Sequence, residues 1–198
     1  MLSLRMSHVR SGDHSMIHEM LEEVLRFWFK DIESKNWWSV DPEFDALLRE
    51  RFLGLLQQAS AGELYAWRSS ARGRLAEIIV LDQFSRNIYR NTVGAFAQDP
   101  MALVLAQEAV AGGALAELLS AERTFLLMPY MHSESRLIHI PAEILCREFA
   151  PAENLEFEVR HKAIIDRFGR YPHRNGILGR ISTEEEMAFL KQPGSGFL

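Results

Sequence analysis

The spacing of apolar residues constrains this chain more than any other feature of its sequence. From about residue 17 onward, apolar residues recur three and four positions apart, and they alternate with polar residues over no strand-length segment. A period near 3.6 places side chains on one face of a helix, whereas a half-buried strand requires a period of two. The sequence therefore predicts an all-α fold of about eight to ten helices with no sheet.

Cap residues, prolines and glycines predict where these helices begin and end. Candidate N-cap residues, followed by a proline or by a glutamate three positions on, lie at Asp41-Pro42, Asp99-Pro100, Ser182 with Glu185, and Thr183 with Glu186. Pro129 and Pro141 must each break, kink or start a helix, because proline lacks a backbone donor. Arg72-Gly73 is expected to break the chain before the strongest helix, which is predicted from Leu75 to Arg90.

Length and composition fit one domain. A chain of 198 residues, 47% of them apolar, can bury roughly 70% of the surface exposed when it is unfolded, and it does not need a disulfide or a metal for stability. Residues 1–15 show no helical periodicity and are expected to form a mobile tail, so residues 16–198 form the predicted domain. The net charge of −5 argues against a nucleic-acid-binding surface.

Cysteine usage and hydropathy bear on where the protein works. Cys146 is the only cysteine, and its neighbours ILCREF are typical of the buried face of a helix, which argues against a catalytic thiol. The N-terminus lacks the apolar core of a signal peptide, and no apolar run of about 18 residues could span a bilayer. We expect a cytoplasmic protein without a membrane segment. No metal-ligand spacing or nucleotide loop predicts a cofactor or a metal, and oligomeric state does not follow from the sequence.

The first polar segment, LDQFSRNIYR, lies on the strongest predicted helix. That helix is apolar nearly all round and so belongs in the core, where its charges cannot all reach water. Asp82 and Arg86 are four residues apart and form a predicted intrahelical pair, with Asn87 and Arg90 on the adjacent polar edge. Such a pair fits a structural role or a functional one.

The second segment, FLLMPYMHSESRLIH, places His132, Arg136 and His139 four and three residues apart. If a helix starts at Pro129, these three side chains share one face, and Glu134 points away. A histidine on a half-apolar face can be a hydrogen-bonded packing residue or a ligand and base, and both interpretations stay open.

The third segment, RFGRYPHRNGILGR, combines glycines with Arg170, His173, Arg174 and Asn175. From residue 160 to residue 180 the sequence has six basic residues and one acidic residue, although the chain as a whole is acidic. Arginines in such a loop can bind phosphate or carboxylate through paired hydrogen bonds. They can equally cap the carbonyl groups at a helix C-terminus.

Six blocks of the sequence resemble a known family. The blocks VLRFWF, WWSVDPEFD, LDQFSRNIYR, AFAQDPMAL, MPYMHSES and FGRYPHRNGILGR occur in the order typical of bacterial domain-of-unknown-function family 924, from about residue 22 to the C-terminus. The resemblance implies a tetratricopeptide-like α–α superhelix of degenerate helical hairpins, with no established activity. The chain departs from the family at Ser85, where proline is common, and at His139, where glutamine is expected.

The leading functional hypothesis is a binding protein. The three segments would line a pocket for an anionic small molecule or an acidic group of a peptide. The predicted ligand-binding residues are Arg86, Asn87, Arg90, His132, Arg136, Arg170, His173, Arg174 and Asn175.

Two alternatives come from other functional classes. In the first, the chain is a hydrolase or transferase acting on an anionic substrate, with Asp82 or His132 as the acid-base group. In the second, it is a protein-interaction scaffold with Trp37, Trp38 and Trp67 as exposed anchors. Convergence of the three polar segments on one pocket would favour a functional site over scattered structural pairs.

Overall fold

The computed structural model describes residues 11–196, and every regular element in that range is helical. The all-α prediction is confirmed. The α-helices are α1 (Ser11–Arg26), α2 (Pro42–Ser60), α3 (Ala71–Ile79), α4 (Ser85–Ile88), α5 (Asp99–Ala111), α6 (Ala114–Glu117), α7 (Ser120–Met131), α8 (Arg136–Phe149), α9 (Ala152–Phe168) and α10 (Glu184–Leu190). Single 3-10 turns cover Ser34–Trp37, Tyr65–Ser69, Val93–Phe96 and Pro172–Arg174, and π-helical turns cover Phe27–Asp31 and Val80–Phe84.

The predicted central helix is present and passes through the core. Helix α3, the π-helical turn Val80–Phe84 and helix α4 follow one another without a break, and α3 packs against α1, α5 and α7. Every residue from Leu75 to Ser85 is buried. An isolated helix gains little from propensity alone, so this one depends on the apolar surface that surrounds it.

The expected break at Arg72-Gly73 is wrong. Helix α3 begins at Ala71, and the Ser70 side chain caps it by accepting a hydrogen bond from the backbone N–H of Gly73. A Cβ atom on Gly73 would collide with the carbonyl oxygen of Trp67. Glycine at this position therefore allows the preceding turn to pack closely against the first turn of α3, and it does not end the chain's helical run.

Of the four candidate N-caps, Asp41 and Thr183 are confirmed, whereas Asp99 and Ser182 do not cap a helix. Asp41 accepts hydrogen bonds from two backbone N–H groups at the start of α2, and Thr183 forms a capping box with Glu186 at the start of α10. Asp99 does not cap α5, because the N-cap position is Gln98 and the Asp99 carboxylate turns toward two arginines. Asp99, the aspartate before Pro100, therefore makes tertiary contacts and does not cap the helix.

No helix starts at Pro129. Pro129 lies inside α7, which continues to Met131, and Pro141 lies inside α8. His132 consequently occupies the C-cap of α7, whereas Arg136 and His139 belong to α8. The prediction that these three side chains share one helix face is wrong, because a turn separates them.

The C-terminal part packs around the ends of α7 and α9. Helix α9 ends at Gly169, which has a left-handed φ of 70°, as predicted from the glycine.

Residues 11–15, assigned to the N-terminal tail from the sequence, are helical in α1, and residues 1–10 lie outside the described range. The tetratricopeptide-like superhelix stays a prediction. No helix in the described part of the chain is long and apolar enough to cross a membrane.

Candidate functional site

A cavity of about 610 Å³ lies where the central helix, α7, α9 and the loop after α9 meet. Side chains and backbone from all three polar segments reach it, together with parts of the chain that the sequence did not single out. The lining residues are Trp37, Trp38, Ser39, Gln83, Arg86, Asn87, Arg90, Asn91, Ala95, Phe96, Met128, Met131, His132, Asn154, Phe157, Arg160, His161, Tyr171, His173, Arg174, Ile177, Gly194 and Gly196. Convergence of the three segments on one pocket is therefore observed.

Asp82 and His132 form the innermost polar pair. His132 Nδ1 lies 2.8 Å from Asp82 Oδ1, and Arg86 Nη1 lies 3.0 Å from the same carboxylate oxygen. The Gln83 side chain donates to the other oxygen of Asp82 at 2.6 Å. The predicted Asp82–Arg86 pair is thus present, and Asp82 is buried behind the cavity wall, where His132 and Arg86 separate it from the cavity.

Burial and charge fix the ionisation states of this pair. Burial opposes ionisation of Asp82, but the charge of Arg86 and the hydrogen bond with His132 prevail and hold the pKa of Asp82 well below its ordinary value. Burial and the neighbouring Arg86 charge lower the pKa of His132. Asp82 is therefore a carboxylate and His132 a neutral imidazole at neutral pH. The Nδ1–H of that imidazole donates to Asp82.

Two arginines and Asp99 extend the network toward the cavity. Arg86 Nη2 donates to Asp99 at 3.1 Å, and Arg174 Nη1 donates to the same oxygen at 3.1 Å. The Arg174 guanidinium also lies over the rings of Phe96 and Tyr171. Arg86 and Arg174 thus balance two carboxylates, the buried Asp82 and the partly buried Asp99.

The turn that carries His132 is held by three side chains. Tyr171 Oη donates to the carbonyl of Met131 at 2.5 Å, and Arg174 Nη2 donates to the carbonyl of His132 at 3.0 Å. His139 Nε2 lies 2.9 Å from the carbonyl oxygen of Ser133. Three successive backbone carbonyls at the C-terminus of α7 therefore have side-chain partners from separate parts of the sequence, and these contacts fix the position of His132.

Asp45 completes the polar edge of the central helix. Its carboxylate accepts from Asn87 Nδ2 at 2.9 Å and from Arg90 Nη2 at 2.8 Å. Asp45 lies on α2 and was not identified from the sequence, because nothing in its local pattern distinguishes it from any other exposed helical aspartate. Asn87 and Arg90 line the cavity as predicted.

Three predicted ligand-binding residues make internal contacts away from the cavity lining. Arg136 donates to the carbonyls of Ile165 and Asp166 at the C-terminus of α9. Arg170 pairs with Glu186, and the buried Asn175 side chain also donates to Glu186. Glu134, expected to point away, instead pairs with Arg180 and accepts from the backbone of Tyr171.

The cavity has an aromatic mouth on the side of α9. The rings of Trp38 and Phe157 stack with centroids 6.5 Å apart and planes 14° apart, although the two residues are 56% and 45% exposed. Arg160 lies over the Phe157 ring, and no carboxylate among residues 11–196 pairs with it. Phe157 and Arg160 were missed because they occupy the exposed side of an ordinary amphipathic helix. Of the three tryptophans considered as anchors, Trp67 is buried and Trp38 is exposed.

Other reactive groups lie away from this cavity. Cys146 is buried on α8, and burial raises the pKa of its thiol to about 12. Over the described range, no three His, Cys, Asp or Glu side chains converge where a metal ion could bind.

Comparisons with known proteins agree with the fold. A solved structure described as a protein of unknown function from Agrobacterium tumefaciens is similar at a TM-score of 0.84 and 33% identity. The likeness covers 88% of this chain and 98% of that one. The search of curated proteins finds no match. The family described as "Bacterial protein of unknown function (DUF924)" matches residues 24–194, and the chain therefore belongs to that family.

Proposed function

We propose that this protein binds a small molecule that has an apolar, ring-containing body and one negative charge. The observation that carries the proposal is the charge of the cavity wall. Among the residues that the structure describes, four arginines line the cavity and no aspartate or glutamate does. The arginines in question are Arg86, Arg90, Arg160 and Arg174.

Carboxylates behind the wall balance three of these arginines. Asp82 and Asp99 neutralise Arg86 and Arg174, and Asp45 neutralises Arg90. These pairs leave Arg160 as the one arginine of the wall without a carboxylate partner in the described structure. A net charge of about +1 favours a single carboxylate over a polyphosphate, because extra negative charge would find no matching cation.

The rest of the lining supports an apolar body. Besides the arginines, the wall consists largely of aromatic, methionine and small apolar side chains. A volume of about 610 Å³ lies in the range of small-molecule pockets, which are mostly apolar with a few oriented polar groups. Trp38 and Phe157 offer flat ring faces at the mouth, next to Arg160.

Calorimetric titration with three probes tests the proposal. Indole-3-acetate and benzoate each combine a ring with one carboxylate, whereas inorganic phosphate has the charge without the ring. We expect saturable binding of the aryl carboxylates and none of phosphate. Arg160→Gln should weaken aryl carboxylate binding about tenfold, the loss of one charge-assisted contact.

Arg147→Gln is the matched control. Arg147 is an exposed arginine on α8 that pairs with Glu143 away from the cavity, so its replacement should leave binding unchanged. The proposal is wrong if neither aryl carboxylate binds, or if Arg160→Gln and Arg147→Gln bind them equally well.

A further inference from the structure

We propose that the molecule bound in this cavity is a substrate, and that His132, oriented by Asp82, acts on it as a general base in ester hydrolysis. The inference rests on the proposed function, because it assigns chemistry to the same cavity. It goes beyond binding, because a site that only binds a molecule does not need a histidine whose proton is held on one particular ring nitrogen.

The geometry of His132 fits an oriented general base. Its Nδ1 is occupied by Asp82 at 2.8 Å, so the lone pair of the neutral imidazole lies on Nε2. His132 lines the cavity, and Nε2 has no hydrogen-bond partner among residues 11–196. A carboxylate behind an imidazole fixes its orientation and stabilises the imidazolium that forms when Nε2 accepts a proton.

The position of His132 is fixed more firmly than a packing residue requires. Side chains of Tyr171, Arg174 and His139 hold the three consecutive carbonyls on and around residue 132. Fixed positioning of this kind matters for catalysis, because a general base that is displaced from the reacting group no longer accepts its proton faster than bulk water does. Tyr171, Arg174 and His139 are positioning residues in this scheme, and Asp82 orients the ring.

The two arginines next to His132 complete the chemistry. In the proposed step, His132 Nε2 takes a proton from a water molecule, whose oxygen forms a bond to the acyl carbon of the ester. The negative charge that develops on the carbonyl oxygen is stabilised by Arg86 and Arg174, which line the cavity next to His132. The bond from the acyl carbon to the alcohol oxygen then breaks, and the proton on Nε2 passes to that oxygen. Water is the only co-reactant.

Two chromogenic esters of similar length test this step. Mono(4-nitrophenyl) glutarate has a free carboxylate, and 4-nitrophenyl pentanoate is neutral. We expect saturable release of 4-nitrophenolate from the anionic ester, with kcat at least tenfold lower in His132→Gln and in Asp82→Asn. His18→Gln, on the exposed surface of α1, is the control for the same substitution and should keep the full rate.

The pH profile separates a base from a merely structural histidine. The titratable and charged groups around His132 are Asp82, Arg86, Asp99, Arg174, His161 and His173, and its pKa lies below the ordinary value of 6.5. A neutral imidazole is the active form, so kcat/KM should stay level as pH falls to 6.5 and decline only below it. A decline in kcat/KM centred at or above pH 6.5 would mean that a group other than His132 controls the rate.

Three results would overturn the inference. They are an absence of turnover of the anionic ester by the unsubstituted protein, a rate in His132→Gln within twofold of that protein, and an imidazole ¹⁵N spectrum in which His132 carries its proton on Nε2. The spectrum needs no variant, so it decides the matter even if a substituted protein fails to fold. Aryl carboxylate binding that persists while ester hydrolysis is absent would overturn this inference and leave the proposed function intact.

Discussion

Two histidine–carboxylate pairs in the described part of the chain have nearly the same local geometry. His132 Nδ1 lies 2.8 Å from Asp82, and His139 Nδ1 lies 2.7 Å from Glu158. Both histidines adjoin the same turn after α7, at its start and on the helix that follows it. Hydrogen-bond distance alone does not distinguish the pairs.

Their surroundings differ in two respects. His139 Nε2 is occupied by the carbonyl of Ser133, and both members of its pair are completely buried, whereas His132 lines the cavity and its Nε2 has no hydrogen-bond partner in the described part of the chain. Asp82 has a guanidinium within 3.0 Å, while no arginine or lysine forms an ion pair with Glu158 in the described range. Burial therefore raises the pKa of Glu158 despite the hydrogen bond with His139, and the pKa of Asp82 is lowered.

The comparison shows that a histidine–carboxylate pair acquires its role from what surrounds it. A sealed pair without a cation can only hold its neighbours in place, and the His139 pair does so through Ser133. A pair stabilised by an arginine and open at Nε2 can exchange a proton with a bound molecule. Four experiments would break or sharpen this distinction, from the largest expected effect on stability to the smallest.

Asp82→Asn should have the largest effect. It removes a fully buried carboxylate that Arg86, His132 and Gln83 all contact, and it leaves Arg86 with Asp99 as its remaining carboxylate partner among the described residues. Breaking a buried ion pair from one side costs about 3 kcal/mol of unfolding free energy. Urea unfolding at pH 7 measures it. Asp166→Asn removes an exposed ion pair with Lys162 and should change stability by under about 1 kcal/mol. Equal effects of the two variants would contradict the expectation.

Glu158→Gln should cost less, about 1 kcal/mol, because the side chain keeps its shape and its amide group can still form a hydrogen bond with His139 Nδ1. Glu158 Oε2 has no partner, so the amide atom that replaces it loses no bond. The same urea assay applies, with Glu156→Gln on the exposed side of α9 as control. A loss as large as that of Asp82→Asn would mean that Glu158 is ionised and paired as Asp82 is.

The pH dependence of these two substitutions should have opposite signs. Asp82 has a folded pKa below its unfolded value of 3.8, so its ionisation stabilises the fold fully above that value and progressively less as pH falls below it. The folded pKa of Glu158 is raised, so wild-type stability from this group falls as pH rises above 4.5. The loss caused by Asp82→Asn should therefore grow with pH, and that caused by Glu158→Gln should shrink. Unfolding at pH 3, pH 5 and pH 7 is the measurement, because the contribution of Asp82 changes mainly below about pH 5 and that of Glu158 above about pH 4.5. Parallel trends would refute the assignment.

Diethyl pyrocarbonate should distinguish the pairs without altering the protein. This reagent acylates neutral, accessible imidazole nitrogens, so it should modify His132 and spare His139 while the protein is folded. Peptide mass mapping after brief treatment at pH 6.5 measures both, and labelling after denaturation should reach both equally. Labelling of the two histidines at equal rates in the folded protein would contradict the different accessibility of their Nε2 atoms.

Much of the fold was predictable because helices are encoded locally. The apolar period, the Asp41 and Thr183 caps and the glycine at residue 169 lie in short windows, and each prediction from them is confirmed. Pro129 misled the prediction, because a proline near the end of a helix can be tolerated when the groups it disturbs are satisfied by neighbours. The π-helical turn at Val80–Phe84 had no local signal either.

The candidate site was predictable only in part. Asp82, Arg86 and His132 stood out because charge and histidine are unusual beside a core helix. Asp99 was assigned to a helix cap from its position before Pro100, yet Arg86 and Arg174 bind it across the structure. Arg170 and Asn175 resembled ligand-binding residues until Glu186 on α10 proved to satisfy them.

The sequence by itself determined an all-α chain, its family and the residues that carry unusual chemistry, since periodicity, caps and charge are properties of neighbouring positions. Only the tertiary structure decided which of those residues face a common cavity and which balance one another's charge. Asp45, Asp82 and Asp99 come from three separate elements, and their pairing with the arginines leaves Arg160 as the arginine of the wall that no described carboxylate balances. Distances between positions far apart in sequence set that balance, and no local pattern records them.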